Sequence, residues 1–190
     1  MKSHLLTEEE IVEGCLAGGR TYQKHLYEKY YGSMMVVCMR YSNDREEARD
    51  ILHEGFMKVF TNLSKYRRGT NLGAWVRRIM INTAIDHYRK LSKRPNLVEI
   101  NHAIHEIDMS DVVSDMSAKE ILELVQKLSP AYRTVFNLYV IEGYPHKEVG
   151  KMLGISEGTS KSNLAKARAK LQMMIQKARR IQKMEGEQYA

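Results

Sequence analysis

The chain has 190 residues, 30 Lys+Arg against 23 Asp+Glu and a formal charge of +7, a size for one domain or two small ones. Its 43% hydrophobic and 28% charged composition is that of a folded soluble protein rather than a disordered one, and no run approaches the roughly 18 apolar residues of a membrane span. Two cysteines without a CxxC and an N-terminus, MKSHLLTEEE, without an apolar signal core argue against a disulfide scaffold, a cysteine zinc site and secretion, and predict a cytoplasmic protein.

A helical region is expected from Thr7 to Tyr41, broken or bent near Gly18-Gly19. Asn43-Asp44-Arg45-Glu46 has the form of a capping box, with Asn43 as the cap. Behind it Ala48, Ile51, Leu52, Gly55, Phe56, Val59, Phe60 and Leu63 recur at helical spacing, which predicts one buried face. The opposite face carries Asp50, His53, Glu54, Met57 and Lys58, and an outward Met57 suggests a partner contact. Tyr66 to Gly73 reads as a basic loop. A helix follows from about Ala74 to Leu91, with Trp75, Ile79, Thr83 and one of Ile85 or Asp86 expected to face inward. Pro95 ends it, because the residue before a proline is disfavoured in a helix. The stretch from Asn96 to Met116 lacks periodicity and reads as a linker.

The next helix is expected at about Ser117–Leu128. Ser129-Pro130 then combines an N-cap residue with proline at the first helical position, opening a helix that runs to Gly143. The stretch from Tyr144 to Thr159 reads as a helix, a Gly at its C-terminal turn, a short link and a Ser N-cap, and with the basic helix that runs on to Leu171 or beyond it describes a helix-turn-helix. Gly150 would permit close helix crossing, and Ile155 would plug the turn. With no period-two strand anywhere, the predicted architecture is all-α: two small helical domains joined by a flexible acidic linker, the second a helix-turn-helix.

Charge falls in blocks along this plan. Lys65 to Arg94 holds nine basic residues and one acid, Asp86. Asn96 to Glu123 holds seven acids against Lys119, and Gly158 to Met184 holds eight basic residues and no acid. Two basic elements around an acidic one suggest two contacts with a polyanion, driven by counterion release. Catalytic signatures are missing: His102-x-x-His105-Glu106 and His53-Glu54 lack the spacing of a helical HExxH site, and no phosphate-binding Gly loop occurs. No enzyme activity, metal or cofactor is expected. Cys15 and Cys38 read as small core hydrophobes.

Three segments together resemble one family. Asp50-Ile51-Leu52-His53-Glu54-Gly55-Phe56-Met57-Lys58-Val59-Phe60 is similar to the polymerase-binding helix of bacterial sigma factors. Trp75 through Asp86 is similar to their promoter-melting helix. Leu128-Ser129-Pro130, Leu153 through Thr159 and Leu164-Ala165-Lys166-Ala167-Arg168 are similar to their promoter-reading helix-turn-helix. With two domains and no middle one, the chain resembles the extracytoplasmic-function (ECF) group of the sigma-70 family. The resemblance implies a clamp-binding, minus-ten domain over residues 1–95, a linker over 96–116 and a minus-thirty-five domain over 117–190. It implies a role in promoter-specific initiation with core RNA polymerase, promoter DNA as ligand, and the anti-sigma partner that many relatives have.

Site residues follow from the resemblance. Asp50, His53, Glu54 and Met57 would dock on polymerase, although the residues alone fit a solvated face equally well. Tyr66, Arg67 and Arg68 would capture an unstacked minus-ten base, with Arg77, Arg78, Asn82 and Arg89 on the following helix; Trp75 would belong to the packed face. Ser156, Thr159, Ser160, Lys161, Ser162, Asn163, Lys166 and Arg168 would read the minus-thirty-five element. Ser160 and Asn163 depart from the family pattern, which has a β-branched apolar residue and an arginine there. Ser160 is expected to weaken packing of the reading helix, and Asn163 to shift base preference toward adenine. The acidic linker would either mimic nucleic acid in polymerase channels or serve as a solvated tether. A stand-alone helix-turn-helix regulator is the alternative, but it has no reason to carry the Asp50–Phe60 motif.

Overall fold

The computed structural model describes residues 6–92 and 118–188. All regular structure among them is helical, and the contacts divide the chain at Tyr88 into two compact units. The predicted linker, with His102 and His105, lies outside the described residues.

In the first unit the expected Thr7–Tyr41 region is two helices, α1 (Glu8–Leu16) and α2 (Arg20–Tyr41). Thr7 and Glu10 form a reciprocal capping box at the start of α1. Gly18, at φ 80°, supplies the left-handed backbone between the two helices. The cap of α3 (Arg45–Asn62) falls one residue later than predicted. Asp44 Oδ1 accepts from the Glu47 N–H at 2.8 Å, and the Glu47 carboxylate accepts the Asn43 N–H and faces His87 Nδ1 at 3.2 Å. Glu47 is thus recruited to the cap and to a tertiary contact together, which Glu46 on the neighbouring face could not do.

The apolar stripe of α3 is buried as expected, with Phe60 only half-buried. α4 (Leu72–Ser92) is longer than predicted and turned about its axis. It buries Leu72, Val76, Met80, Ile81, Thr83, Ala84 and Ile85, whereas Trp75 and Ile79 are only half-buried. Gly55 explains the choice: a Cβ there would lie 2.2 Å from Met80 Sδ, so the bare backbone of α3 is the seat for Met80. Met80 in that seat carries Trp75 and Ile79 to the rim.

The second unit comprises α5 (Ala118–Gln126), α6 (Pro130–Phe136), α7 (His146–Leu153) and α8 (Glu157–Gln188). Pro130 opens α6 as predicted, but Ser129 makes no side-chain capping bond. After Phe136 the helix loosens into a π-type turn over Asn137–Ile141, closed by the Glu142 N–H on the Asn137 carbonyl at 2.9 Å. Gly154, at φ 71°, ends α7, and Ser156 Oγ accepts the Thr159 N–H at 2.9 Å. A Cβ at Gly150 would lie 2.8 Å from the Ile155 carbonyl oxygen, so the turn needs glycine at that crossing. The turn and its glycines follow the sequence reading; Ile155 is half-buried in it.

Candidate nucleic-acid and polymerase interfaces

Helical spacing places Asp50, His53, Glu54 and Met57 on one face of α3. Asp50 and His53 are exposed, and Met57 is 67% exposed, the most exposed large apolar side chain among the described residues. Glu54 is half-buried and pairs with Lys58 at 2.9 Å.

The basic loop meets α1. Tyr66 is half-buried, its ring 5.5 Å from that of Trp75 and its hydroxyl donating to the Thr70 carbonyl. Gly69, at φ 76°, bends the loop. Arg67 is exposed, and Arg68 Nη1 bonds Glu13 Oε1 at 2.9 Å. Tyr66, Arg68, Gly69 and Thr70 face Glu9, Val12 and Glu13 of α1 across a cavity of 460 Å3.

Along α4 the structure brings Arg78 and Asn82 together and leaves Arg77 and Arg89 elsewhere. Arg78 and Asn82 are exposed in a groove of 430 Å3 that also holds Trp75, Ile79 and Asp86, with Lys58, Asn62 and Lys65 from the end of α3 and the turn after it. Trp75 is therefore a groove residue rather than a core residue. Lys58, Asn62, Lys65, Trp75 and Asp86 were missed by sequence reasoning. The signal present in the sequence was the row Trp75, Arg78, Asn82 and Asp86, at steps of three, four and four.

In the second unit Ser156, Thr159 and Lys161 are exposed at the start of α8, and Ser162, Asn163 and Arg168 are half-buried. Lys161 Nζ pairs with Glu157 Oε1 at 2.8 Å. Two expected base readers are withdrawn from the surface: Ser160 is 0% exposed and Lys166 4%. Both lie on the face that packs inward, so neither can reach a base edge from this position. Ser160 does not loosen the packing as an unpartnered polar group would. Its Oγ lies 2.9 Å from His146 Nδ1, and the His146 ring stacks on Tyr139 with centroids 4.1 Å apart. A polar pair thus occupies the place of an apolar contact. Burial lowers the pKa of His146, and the nearby Lys161 and Arg168 lower it further against an opposing pull from Glu157. Tyr139, His146, Lys161 and Arg168 line a small cleft of 220 Å3 with Leu164 and Ala165.

Among the described residues no helix is long and apolar enough to cross a membrane. The model of sigma-70 region 2 matches residues 26–94, and that of sigma-70 region 4 matches residues 118–171. The RNA polymerase sigma-H factor of Pseudomonas aeruginosa is 25% identical over 187 residues, covering 90% of this chain and 97% of that one. The ECF RNA polymerase sigma factor SigM of Mycobacterium tuberculosis is 23% identical over 179 residues, covering 90% and 86%. Among solved structures, the sigma factor RpoE in complex with the anti-sigma factor NepR from Bartonella quintana covers 80% of this chain and 96% of that chain, with 21% identity and a TM-score of 0.48. The region 2 match spans the α3 motif and the α4 groove, the region 4 match spans the helix-turn-helix, and together they take in more than half of the sequence. The chain therefore belongs to the sigma-70 family, in its ECF group, and directs promoter-specific transcription initiation with core RNA polymerase.

Proposed function

We propose that the work of initiation is divided between the domains at residues 1–95 and 117–190, joined by the acidic segment 96–116. In this reading α3 docks on polymerase through Asp50, His53, Glu54 and Met57. Tyr66, Arg67 and Arg68 take an unstacked minus-ten base. Arg78 and Asn82, with Arg77 and Arg89 on the same helix, hold the adjoining DNA. The start of α8 reads the minus-thirty-five element through Ser156, Thr159, Lys161, Ser162 and Asn163, with Arg168 on the phosphates.

The observation that carries this assignment is the groove of α4. An exposed guanidinium, a carboxamide and a half-exposed indole stand on one helix face beside two lysines, a chemistry suited to phosphate, base edge and base stacking together. Binding energy alone drives initiation here. The protein supplies no reacting group, acts in the cytoplasm beside polymerase, and stabilises strand separation by holding what has been separated. An anti-sigma partner would act by covering the Met57 face of α3.

The deciding experiment is transcription in vitro with core polymerase over a library of minus-thirty-five and minus-ten sequences. Enrichment of one pair of elements is expected. Met57→Glu should weaken core binding by about tenfold, the scale of a central apolar contact. Failure of the unmodified chain to bind core enzyme would overturn the reading.

A further inference from the structure

The α4 groove contains a charge that its proposed ligand should reject. Among its lining residues Lys58, Lys65 and Arg78 are basic and Asp86 is acidic. A carboxylate facing a DNA backbone repels phosphate and raises the cost of closing the groove on it.

Lys58 answers that charge from the opposite wall. Its Nζ lies 3.2 Å from Asp86 Oδ2 and 2.9 Å from Glu54 Oε1, one turn earlier on α3. The two carboxylates do not serve one surface. Glu54 stands beside His53 and Met57 on the α3 face, whereas Asp86 lines the groove. Burial alone would lower the pKa of the ammonium, but its bonds to Glu54 and Asp86 more than offset this and raise it, so the positive charge is held. As a contribution to folding, such a half-exposed pair is worth little. Its position matters more than its strength.

We propose that Lys58 is a positioning residue for minus-ten recognition: anchored by Glu54, its ammonium cancels Asp86 inside the α4 groove, so that DNA phosphate can enter beside Arg78 and Asn82. The inference rests on the reading of α4 as a DNA-facing helix. It differs from direct phosphate contact by Lys58 in one respect: if cancellation is the role, the lysine is needed only while Asp86 is charged.

The test uses the full chain bound to core polymerase and a fork-junction DNA with a duplex upstream edge of the minus-ten element. Affinity for DNA and affinity for core are measured separately over a salt series. Lys58→Met keeps the aliphatic stem, and should weaken DNA binding by about tenfold with core affinity within about twofold of the unmodified chain. Adding Asp86→Asn to Lys58→Met should restore DNA affinity to within about threefold, and Lys58→Arg should bind almost as the parent does. The proposal is overturned if Lys58→Met binds DNA normally, or if Asp86→Asn fails to rescue it. It is also overturned if the variant loses core and DNA affinity in parallel. Failure of the unmodified chain to bind core would instead strike the proposed function itself.

Discussion

Asn163 is half-buried near the start of α8, between the exposed Lys161 and the buried Leu164. A carboxamide can give and accept one hydrogen bond each along an adenine edge, whereas a guanidinium matches guanine, with about 1–3 kcal/mol of discrimination per base. Asn163→Arg should therefore move one minus-thirty-five position from adenine toward guanine in a promoter-library selection; unchanged preference would remove Asn163 from the reading set. His146 makes a different prediction at the same scale. Its folded-state pKa lies below the ordinary 6.5, through burial first and then through Lys161 and Arg168. As pH falls, the unfolded chain takes up the proton before the folded chain does. Stability is thus full above the unfolded pKa and declines as pH drops below it. Thermal unfolding between about pH 7.5 and 5.5 should show a falling midpoint for the second unit. In His146→Gln that decline should be shallower, and equal slopes would show that the imidazole is not the titrating group.

At the scale of elements, two helix crossings depend on a missing side chain. Gly150→Ala would press a Cβ to 2.8 Å from the Ile155 carbonyl oxygen, a backbone atom that moves only with the turn. A loss of about 1–3 kcal/mol is expected in urea unfolding, together with weaker duplex binding because α8 is turned away. At Gly55 the neighbour is Met80 Sδ, and that contact sets the rotation of α4. The apolar stripe of α3 was legible because every member is a strong hydrophobe at helical spacing. The inward face of α4 was legible only in part: Thr83 and Ile85 are buried as expected, but Trp75 and Ile79 are not. Trp75 and Ile79 share the 3.6-residue period with Val76, Met80 and Thr83, so periodicity alone allows either row inside. The row that Gly55 can receive is the buried one. The same limit applies to the cap of α3, where Asn43 and Asp44 are both good capping residues and the contact of Glu47 with His87 favours the later start.

Across the whole molecule, the formal charge of +7 understates the electrostatics, because the acidic segment offsets part of two strongly basic ones. Promoter binding should consequently weaken steeply with salt, by about 0.9 in log–log slope for each phosphate neutralised on duplex DNA. Arg168→Gln should reduce that slope by about one unit while weakening all duplex sequences alike. A slope unchanged by Arg168→Gln would exclude its guanidinium from the backbone contact. The sequence by itself determined the all-α class, the bounds of most helices, the helix-turn-helix with its glycines, and the family, because these depend on local spacing, caps and motifs within single segments. Tertiary structure decided which side chains those helices present. It took Ser160 and Lys166 into the interior, brought Trp75 out beside Tyr66, and set Lys58 between Glu54 and Asp86. Each of those outcomes depends on how one helix is rotated against another, and that rotation is settled by packing among residues far apart in the chain.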